Sequence, residues 1–285
     1  MLLNKILHRP TARYRILRER MTEPIHLNLA SLVMAACGSL RSKINFDLIQ
    51  RVHYAYGVLA AADQAIEQNL ESITIVEFGV AAGEGLLNLC ELSQRVTDVT
   101  GIGMQVVGFD SGSGMPAPSD YRDHPEEFQV GDYPMDHDRL RSRLPSNCQL
   151  ILGPVKETVP TFLADVPIRK APLGFAAFDL DYYSSTIDAL SILSDPDSAK
   201  YIYLPILYFD DVVLPTYNSW AGELLAIGDF NKRNELRKIE QYRFLRSRRI
   251  LKNARWIDQI YLLHLFDHPW ARRSRKAREM PNAYF

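Results

Sequence analysis

Short, almost uninterrupted apolar runs occupy the middle of the chain. Each is about as long as a strand, and none alternates between apolar and polar residues as a strand with one solvent face would. Strands buried on both faces have this pattern, which is typical of a parallel sheet covered by helices. The five runs are Ile73–Phe78, Gln105–Phe109, Gln149–Leu152, Leu173–Phe178 and Ile202–Phe209.

Segments long enough for helices separate these runs, and two of them, Gly85–Arg95 and Ser185–Leu193, are predicted to be helical. Strands that alternate with helices indicate an α/β fold. We predict a Rossmann-like doubly wound, mostly parallel sheet with helices on both faces. A last apolar run, Gln259–Phe266, is predicted to close the sheet as an edge strand whose direction the sequence does not give.

The first 70 residues have a helical pattern. Apolar residues recur at three- and four-residue spacing from Phe46 to Ala60, which places an apolar stripe on one face of a helix that runs to about Asn69. We predict a helical N-terminal segment over 1–70 that packs on the domain or forms subunit contacts. An α/β domain over 71–270 and a basic C-terminal tail over 271–285 would follow it.

Composition excludes several classes of protein. Of 285 residues, 47% are hydrophobic, so the chain has enough apolar material for a core and is not disordered as a whole. No apolar run approaches the roughly 20 residues that a membrane-spanning helix needs. Cys37, Cys90 and Cys148 lack the spacing of a zinc site or a disulfide framework, and with no secretory signal we predict a cytoplasmic protein.

The net charge of −1 conceals an uneven distribution. Between Glu77 and Asp211 there are 21 acidic and 9 basic residues, whereas Lys232–Lys252 and Arg272–Arg278 are basic. Basic stretches can bind nucleic acid, but these lack interleaved aromatic platforms and match no nucleic-acid module. We predict no nucleic-acid partner, and we expect the basic stretches to balance the acidic middle within one fold or across a homo-oligomer.

Four of the five runs end in an acid. Since ligands of an open parallel sheet bind beyond the carboxyl ends of its strands, these acids should converge on one edge. Their mutual repulsion is costly unless something positive lies between them. A cationic cofactor, a metal ion or both would meet that need. The acids are Glu77, Asp110, Asp179 with Asp181 just beyond it, and the pair Asp210 and Asp211.

The turn after the first run is rich in glycine. Its GxxxGxG spacing differs from the GxGxxG of dinucleotide-binding turns, and it lacks the Lys-Ser/Thr of a phosphate-binding loop. Asp110, at the end of the second run, is placed to accept hydrogen bonds from ribose hydroxyls. The predicted cofactor-binding residues are Glu77, Gly79, Gly83, Gly85, Asp110 and Ser111.

These motifs together resemble a known family. The glycine turn with Glu77 and Asp110 resembles the site of class I S-adenosylmethionine-dependent methyltransferases. Gly108–Pro116 resembles the FDSFEGLP signature of the macrocin O-methyltransferase family, and Asp179–Leu190 resembles its DxDLYxST-DAL motif. Asp210-Asp211 resembles its terminal DDY, and the resemblance covers about residues 75–215.

The resemblance implies an O-methyltransferase that depends on S-adenosylmethionine and a divalent cation such as Mg²⁺. Its acceptor would be a hydroxyl of a sugar, a glycosylated natural product or a polysaccharide. The metal ligands would be Asp179, Asp210 and Asp211, with Asp181 as the nearby alternative. The chain departs from the family where Val212 replaces the aromatic residue of DDY and where Gly112 and Ser113 replace an aromatic and an acidic residue.

The proton acceptor is left open among a few residues. Asp179 and Asp181 are predicted to take part in catalysis, and Asp181 or a histidine could act as the base. His137 lies in the polar segment Pro116–Arg143, a predicted lid, and His268 follows the last apolar run. Two other functions stay open: methyl transfer to a phenolic or catechol hydroxyl, and non-catalytic nucleotide binding in an assembly.

Overall fold

A computed structural model describes residues 12–164 and 167–273, in which seven strands form one sheet. The strand order is β3-β2-β1-β4-β5-β7-β6. Strands β1 to β5 pair in parallel, and β7 is antiparallel to both β5 and β6. The strands are β1 (Ser72–Phe78), β2 (Gly103–Asp110), β3 (Cys148–Leu152), β4 (Leu173–Phe178), β5 (Tyr201–Phe209), β6 (Arg237–Gln241) and β7 (Ile260–Leu265).

Helices precede the sheet and connect its strands. The first four are α1 (Ala12–Met21), α2 (Ile25–Cys37), α3 (Leu40–Asn45) and α4 (Val52–Glu67). The next four are α5 (Glu84–Thr100), α6 (His137–Arg143), α7 (Val155–Ala164) and α8 (Pro167–Lys170). The last four are α9 (Tyr183–Ala189), α10 (Gly222–Arg233), α11 (Leu245–Arg248) and α12 (Pro269–Arg273).

The predicted fold class is confirmed. All five apolar runs are strands in a parallel arrangement, and both predicted helices form, the second ending in a 3-10 turn over Leu190–Leu193. The chain order reverses at β1, which has β2 on one side and β4 on the other. This reversal leaves a crevice at the carboxyl ends of β1 and β4, where ligands of doubly wound sheets bind.

The predicted edge position of the last strand is wrong. β7 lies inside the sheet between β5 and β6, and β6 forms the edge. The sequence Arg237-Lys238-Ile239-Glu240-Gln241 escaped prediction because Ile239 is its only apolar residue. Its outer side is closed by Asn231, whose side-chain amide bonds both the N–H and the carbonyl of Ile239. A side chain thus blocks the free sheet edge, which discourages pairing with another strand.

Alternating side chains of the sheet supply two cores. On one face, Ile73 and Ile75 pack with α4 and α5, and on the other, Val76 and Phe78 pack with α9 and α10. Because α4 belongs to the first core, the predicted N-terminal segment provides one of the sheet's covering helices. Residues 1–11 and most of the predicted basic tail lie outside the described residues.

Within the described part of the chain, no helix has both the length and the apolar character needed to cross a membrane.

Candidate active site

A row of four phenylalanines ends the four central strands. Phe109, Phe78, Phe178 and Phe209 are register partners on neighbouring strands. Their rings stack across the sheet with centroids 4.8, 5.1 and 4.8 Å apart. Stacked aromatic neighbours fix the strand ends relative to one another. The residue after each phenylalanine therefore lies in one row along the edge.

That row is Asp110, Gly79, Asp179 and Asp210, in spatial order. Above it lies a cavity of about 640 Å³. The loop between β2 and α6 lines one side of the cavity and the first turn of α9 lines another. Among the lining residues are Gly79, Asp110, Ser111, Lys156, Asp179, Asp181, Ser184, Ser185, Asp188, Asp210, Asp211 and Tyr217.

Three aspartates form a cluster at the bottom of this cavity. Asp179, Asp210 and Asp211 each offer a carboxylate oxygen, and the three oxygens lie within 4.8 Å of one another. Asp181 lines the same cavity, close enough to Asp211 for the charge of that carboxylate to raise the pKa of Asp181. The predicted convergence of acids from β4 and β5 is thus present in the structure.

Protein groups hold the cluster in place from below. The Tyr208 hydroxyl donates to Oδ1 of Asp210, and the side-chain amide of Gln259 donates to the Asp210 carbonyl at 2.8 Å. Glu223, fully buried at the start of α10, accepts a hydrogen bond from the Asp211 amide through Oε2 at 2.9 Å. Its other oxygen, Oε1, is buried and has no partner among the described residues.

Burial and mutual repulsion raise the pKa values of the carboxyl groups in and beside the cluster. Burial first, and then Asp210 and Asp211, raise the pKa of Asp179 well above its usual range. Burial and the nearby Asp211 do the same to the pKa of Asp181 and to the pKa of Glu223. Such an arrangement stores repulsion that a bound cation would relieve.

The residues of the cluster fit a hard divalent cation. All the donors are carboxylate oxygens, which Mg²⁺ prefers, whereas zinc sites usually include nitrogen or sulfur ligands. The unpartnered Oε1 of Glu223 adds a further buried acceptor beside the cluster. The ligand set is therefore chemically consistent with the predicted metal site.

Glu77 lies elsewhere than predicted. It points to the α4 side of the sheet, one residue before the strand end, and is 2% exposed. Its Oε1 accepts a hydrogen bond of 2.7 Å from the Tyr54 hydroxyl, and a Cβ on Gly85 would lie 1.9 Å from the same oxygen. Burial raises the pKa of Glu77 to about 7, against the opposing effects of Tyr54 and Arg51. Glu77 therefore packs closely against Gly85 and is not among the residues that line the cavity.

Asp110 holds the glycine turn from above. Its Oδ2 accepts hydrogen bonds from the backbone amides of Val80 and Ala81, both at 2.9 Å, and its Oδ1 accepts one from Gly112 at 2.7 Å. These bonds fix the turn that borders the cavity. The predicted ribose contact would use the remaining lone pairs of the same oxygens.

Replacing Asp110 with asparagine tests this role. An amide has one acceptor oxygen, so its NH₂ group would face backbone N–H groups and at least one bond to the turn would be lost. We expect the Kd for S-adenosylhomocysteine to rise roughly 10- to 100-fold by calorimetry, the factor for losing a bond to a charged acceptor. The exposed Asp98→Asn on α5 is the control, and an equal effect of both variants would contradict the assignment.

The other predicted cofactor residues have different surroundings. Gly79 and Ser111 line the cavity, and the Ser111 hydroxyl donates to the Gly114 carbonyl at 3.0 Å. Gly83 packs against Leu140 of α6, where a Cβ would approach within 2.2 Å of a side-chain methyl. Gly83 and Gly85 thus allow close packing around the turn, while Gly79 borders the open space.

Neither predicted histidine lines the cavity. His137 is exposed at the start of α6, and its Nε2 bonds the Gly112 carbonyl at 2.6 Å. His268 is buried beside Tyr201, the first residue of β5, with Nε2 3.2 Å from that residue's carbonyl. Because β7 runs antiparallel, the chain leaves it at the amino edge of the parallel strands, opposite the acids. The prediction of His268 as a base is therefore corrected.

Several supporting residues escaped the sequence analysis. Tyr54, Tyr208, Glu223 and Gln259 contact the predicted acids, and all lie outside the recognised motifs. Glu223 and Gln259 follow Asp211 by 12 and 48 positions, so no spacing rule points to them. Tyr208 stands two residues before Asp210, where its hydroxyl could have been suspected.

No family model matches the sequence, and no curated protein matches it. Among solved structures, the chain is similar to calicheamicin methyltransferase CalS11, with 25% identity over 62% of this chain and 70% of that chain and a TM-score of 0.47. It is similar to O-methyltransferase NovP, with 19% identity over 64% and 72% and a TM-score of 0.46. A structure described as cmcI-D160 Mg-SAM has 17% identity over 71% and 69% and a TM-score of 0.35.

Proposed function

We propose that this chain is an O-methyltransferase that uses S-adenosylmethionine and a divalent cation to methylate a hydroxyl of a sugar, a glycosylated natural product or a polysaccharide. One observation carries the proposal. Three carboxylates with ligand atoms within 4.8 Å of one another lie at the bottom of a cavity that also borders the glycine turn. A cation and a cationic methyl donor are the guests that such a cavity favours.

The three aspartates Asp179, Asp210 and Asp211 would hold the cation. When bound, Mg²⁺ would lower the pKa of a coordinated hydroxyl and stabilise the alkoxide. Tyr208 and Gln259 keep Asp210 in position, and Glu223 holds the backbone of Asp211. Their fixed geometry reduces the reorganisation that ligand binding requires.

Gly79, Asp110 and Ser111 would border the methyl donor. When bound, S-adenosylmethionine would supply a methyl group on a positively charged sulfonium. The row of acids on the strand ends gives the cavity a negative potential that favours this charge. Holding the acceptor oxygen in line with the methyl group is chiefly a problem of positioning, which the rigid strand ends serve.

Asp181 is the proposed proton acceptor. It lines the cavity, whereas His137 bonds the Gly112 carbonyl and His268 lies at the opposite edge of the sheet. A carboxylate whose pKa is raised by burial is a stronger base than an exposed one. The acceptor's proton would go to a carboxylate oxygen of Asp181.

The cavity lining favours a polyhydroxy acceptor. The cavity lining includes four serines, Ser113, Ser119, Ser184 and Ser185, together with Lys156 and Asp188. These groups can exchange hydrogen bonds with several hydroxyls of a sugar ring. The lining also includes three aromatic residues, Phe128, Tyr133 and Tyr217, which could pack against an aromatic acceptor. A phenolic or catechol acceptor is therefore the alternative.

The test is a transfer assay with the purified full chain, S-adenosylmethionine and a panel of methyl glycosides and catechols, with Mg²⁺ or with EDTA. Formation of a methylated glycoside only with Mg²⁺ supports the proposal. Methylation of catechols alone favours the alternative. Binding of S-adenosylhomocysteine with no transfer to any acceptor, and no Mg²⁺ binding, would indicate the non-catalytic nucleotide-binding protein.

The metal ligands are tested separately by Asp210→Asn. Loss of one of three charged ligands is expected to raise the Kd for Mg²⁺ by roughly tenfold or more, measured by calorimetry at constant pH. Asp188→Asn, which changes an acid of the same cavity outside the cluster, is the matched control and is expected to bind Mg²⁺ as the parent does. Unchanged Mg²⁺ binding in Asp210→Asn would show that the ligand assignment is wrong.

The predictions of a cytoplasmic location and of a homo-oligomer stay predictions. Exposed apolar side chains on α2, at Ile25, Leu29, Leu32 and Val33, support the second of them because they offer a surface on which another copy could pack.

A further inference from the structure

The loop between β2 and α6, residues 111–136, covers one side of the cavity, and we call it the roof loop. Its only regular element is a 3-10 turn, Tyr121–Asp123. The roof loop contributes Met115, Ser119, Phe128 and Tyr133 to the cavity lining. A loop of this length needs specific contacts to keep one conformation.

Asp123 supplies the most specific of these contacts. It is 1% exposed, and its carboxylate accepts three hydrogen bonds. Oδ1 accepts from the Ser184 amide at 2.8 Å, and Oδ2 accepts from the Ser184 hydroxyl at 2.9 Å and from the Ser119 amide at 2.7 Å. A buried carboxylate is costly unless such donors are in place. Its bonds therefore tie the roof loop to α9 in one defined geometry.

Two aromatic contacts also join the roof loop to the start of α9. The Arg122 guanidinium lies 4.5 Å from the centre of the Tyr183 ring, and the Phe128 ring lies 5.8 Å from the Tyr182 ring. Tyr182 and Tyr183 directly precede Ser184 at the start of α9. These aromatic contacts tolerate small shifts, whereas three hydrogen bonds to one carboxylate do not. Asp123 thus sets the position of the loop.

The elements that Asp123 joins belong to the acceptor side of the site. Ser119 and Ser184 both line the cavity, and Ser184 follows Asp181 by three residues. The glycine turn, in contrast, is held by Asp110, which accepts from the Val80 and Ala81 amides and does not bond Asp123. The cofactor side therefore has its own supports.

We propose that Asp123 is a positioning residue that fastens the roof loop to α9 and so shapes the wall against which the acceptor binds. This inference rests on the proposed function for the identity of the acceptor. The fastening itself is a property of the chain. Without it, the cavity would keep its cofactor side and lose a defined acceptor side.

Hydrogen–deuterium exchange of the full chain with S-adenosylhomocysteine tests the fastening without need of an acceptor. Asp123→Asn has the same shape but places an NH₂ group against at least one N–H donor. We expect amide exchange in 115–128 and 183–186 to accelerate roughly 10- to 100-fold, the factor for losing a hydrogen bond to a buried charge. Exchange in β1, β4 and β5 and the affinity for S-adenosylhomocysteine should stay within about twofold of the parent.

Two further variants keep the test decisive if Asp123→Asn folds poorly. Ser184→Ala removes one of the three bonds and is expected to accelerate exchange of 115–128 by a smaller factor, while Ser184→Thr keeps the hydroxyl and is expected to restore protection. Asp138→Asn, exposed on α6, is the control for loss of charge. Unchanged exchange of the roof loop in Asp123→Asn and Ser184→Ala, or faster exchange throughout the sheet, overturns the proposal.

Kinetics separate the positioning role from a general loss of stability. With an acceptor that the panel identifies, Asp123→Asn is expected to raise the acceptor KM at least roughly tenfold and to leave the KM for S-adenosylmethionine unchanged. An equal rise of both KM values would contradict the positioning role of Asp123. If no acceptor is methylated, the proposed function fails, while the exchange result still decides whether Asp123 fastens the loop.

Discussion

Replacing Gly79 with alanine is expected to lower the free energy of unfolding by about 3 kcal/mol or more and to abolish binding of S-adenosylhomocysteine. Gly79 has φ +84°, and a Cβ there would lie 1.8 Å from the backbone carbonyl oxygen of Asp179. Neither atom can move alone, because the Asp179 amide bonds the Phe78 carbonyl at 3.0 Å. Relief of the clash would require β1 and β4 to separate at their ends.

Gly101→Ala separates the clash from the backbone conformation. Gly101 caps the end of α5 with φ +76°, close to that of Gly79, and a Cβ there would meet nothing within 4 Å. The Gly101→Ala variant should lose only the roughly 1–2 kcal/mol of unfolding free energy that the left-handed conformation costs. Urea unfolding and calorimetry compare the variants, and equal losses in both would show that the contact with Asp179 is unimportant.

The shared ending of four apolar runs explains why the row of acids at the sheet edge could be predicted from the sequence. Four of the apolar runs end in phenylalanine, and the next residue is Gly79, Asp110, Asp179 or Asp210. In a parallel sheet that shared ending brings the four residues into one row, as the structure confirms. The local sequence therefore determines both the strand ends and the acids beyond them.

The face of the sheet to which Glu77 points could also be predicted from the sequence. Ile73, Ile75 and Glu77 alternate along β1, so Glu77 must point to the same face as the two isoleucines. Treating it as one of the acids at the edge overlooked this periodicity. Its partner Tyr54 could not be identified, because the packing of α4 on that face depends on contacts distant in sequence.

Strand direction was the main information that the sequence lacked. An apolar run has the same pattern whether its strand is parallel or antiparallel, so the position of His268 could not be inferred. The pairing of β7 with β5 and β6 decides it. Residues that support the cluster from distant elements, such as Glu223 and Gln259, depend on the same tertiary arrangement.

Replacing Glu77 with glutamine is expected to stabilise the protein, by an amount that depends on pH. Burial raises the pKa of Glu77 to about 7 from its ordinary 4.5. The folded state therefore binds this proton more tightly than the unfolded state does. The stability that results is fully present below about pH 4.5 and is lost as the pH rises to about 7. This difference between the unfolded and folded pKa corresponds to about 3 kcal/mol.

Glutamine keeps an oxygen that can accept a hydrogen bond from the Tyr54 hydroxyl. Its side chain carries no charge at any pH. We therefore expect Glu77→Gln to match the parent near pH 4 and to exceed it by up to about 3 kcal/mol near pH 8, measured by urea unfolding without ligands. Glu91→Gln, exposed on α5 and 3.3 Å from Arg95, is the control and should change stability by less than about 0.5 kcal/mol at either pH. A difference between Glu77→Gln and the parent that is constant from pH 4 to pH 8 would mean that Glu77 does not titrate in this range. Stabilisation together with weaker binding of S-adenosylhomocysteine would show that the buried charge serves the glycine turn at a cost in stability.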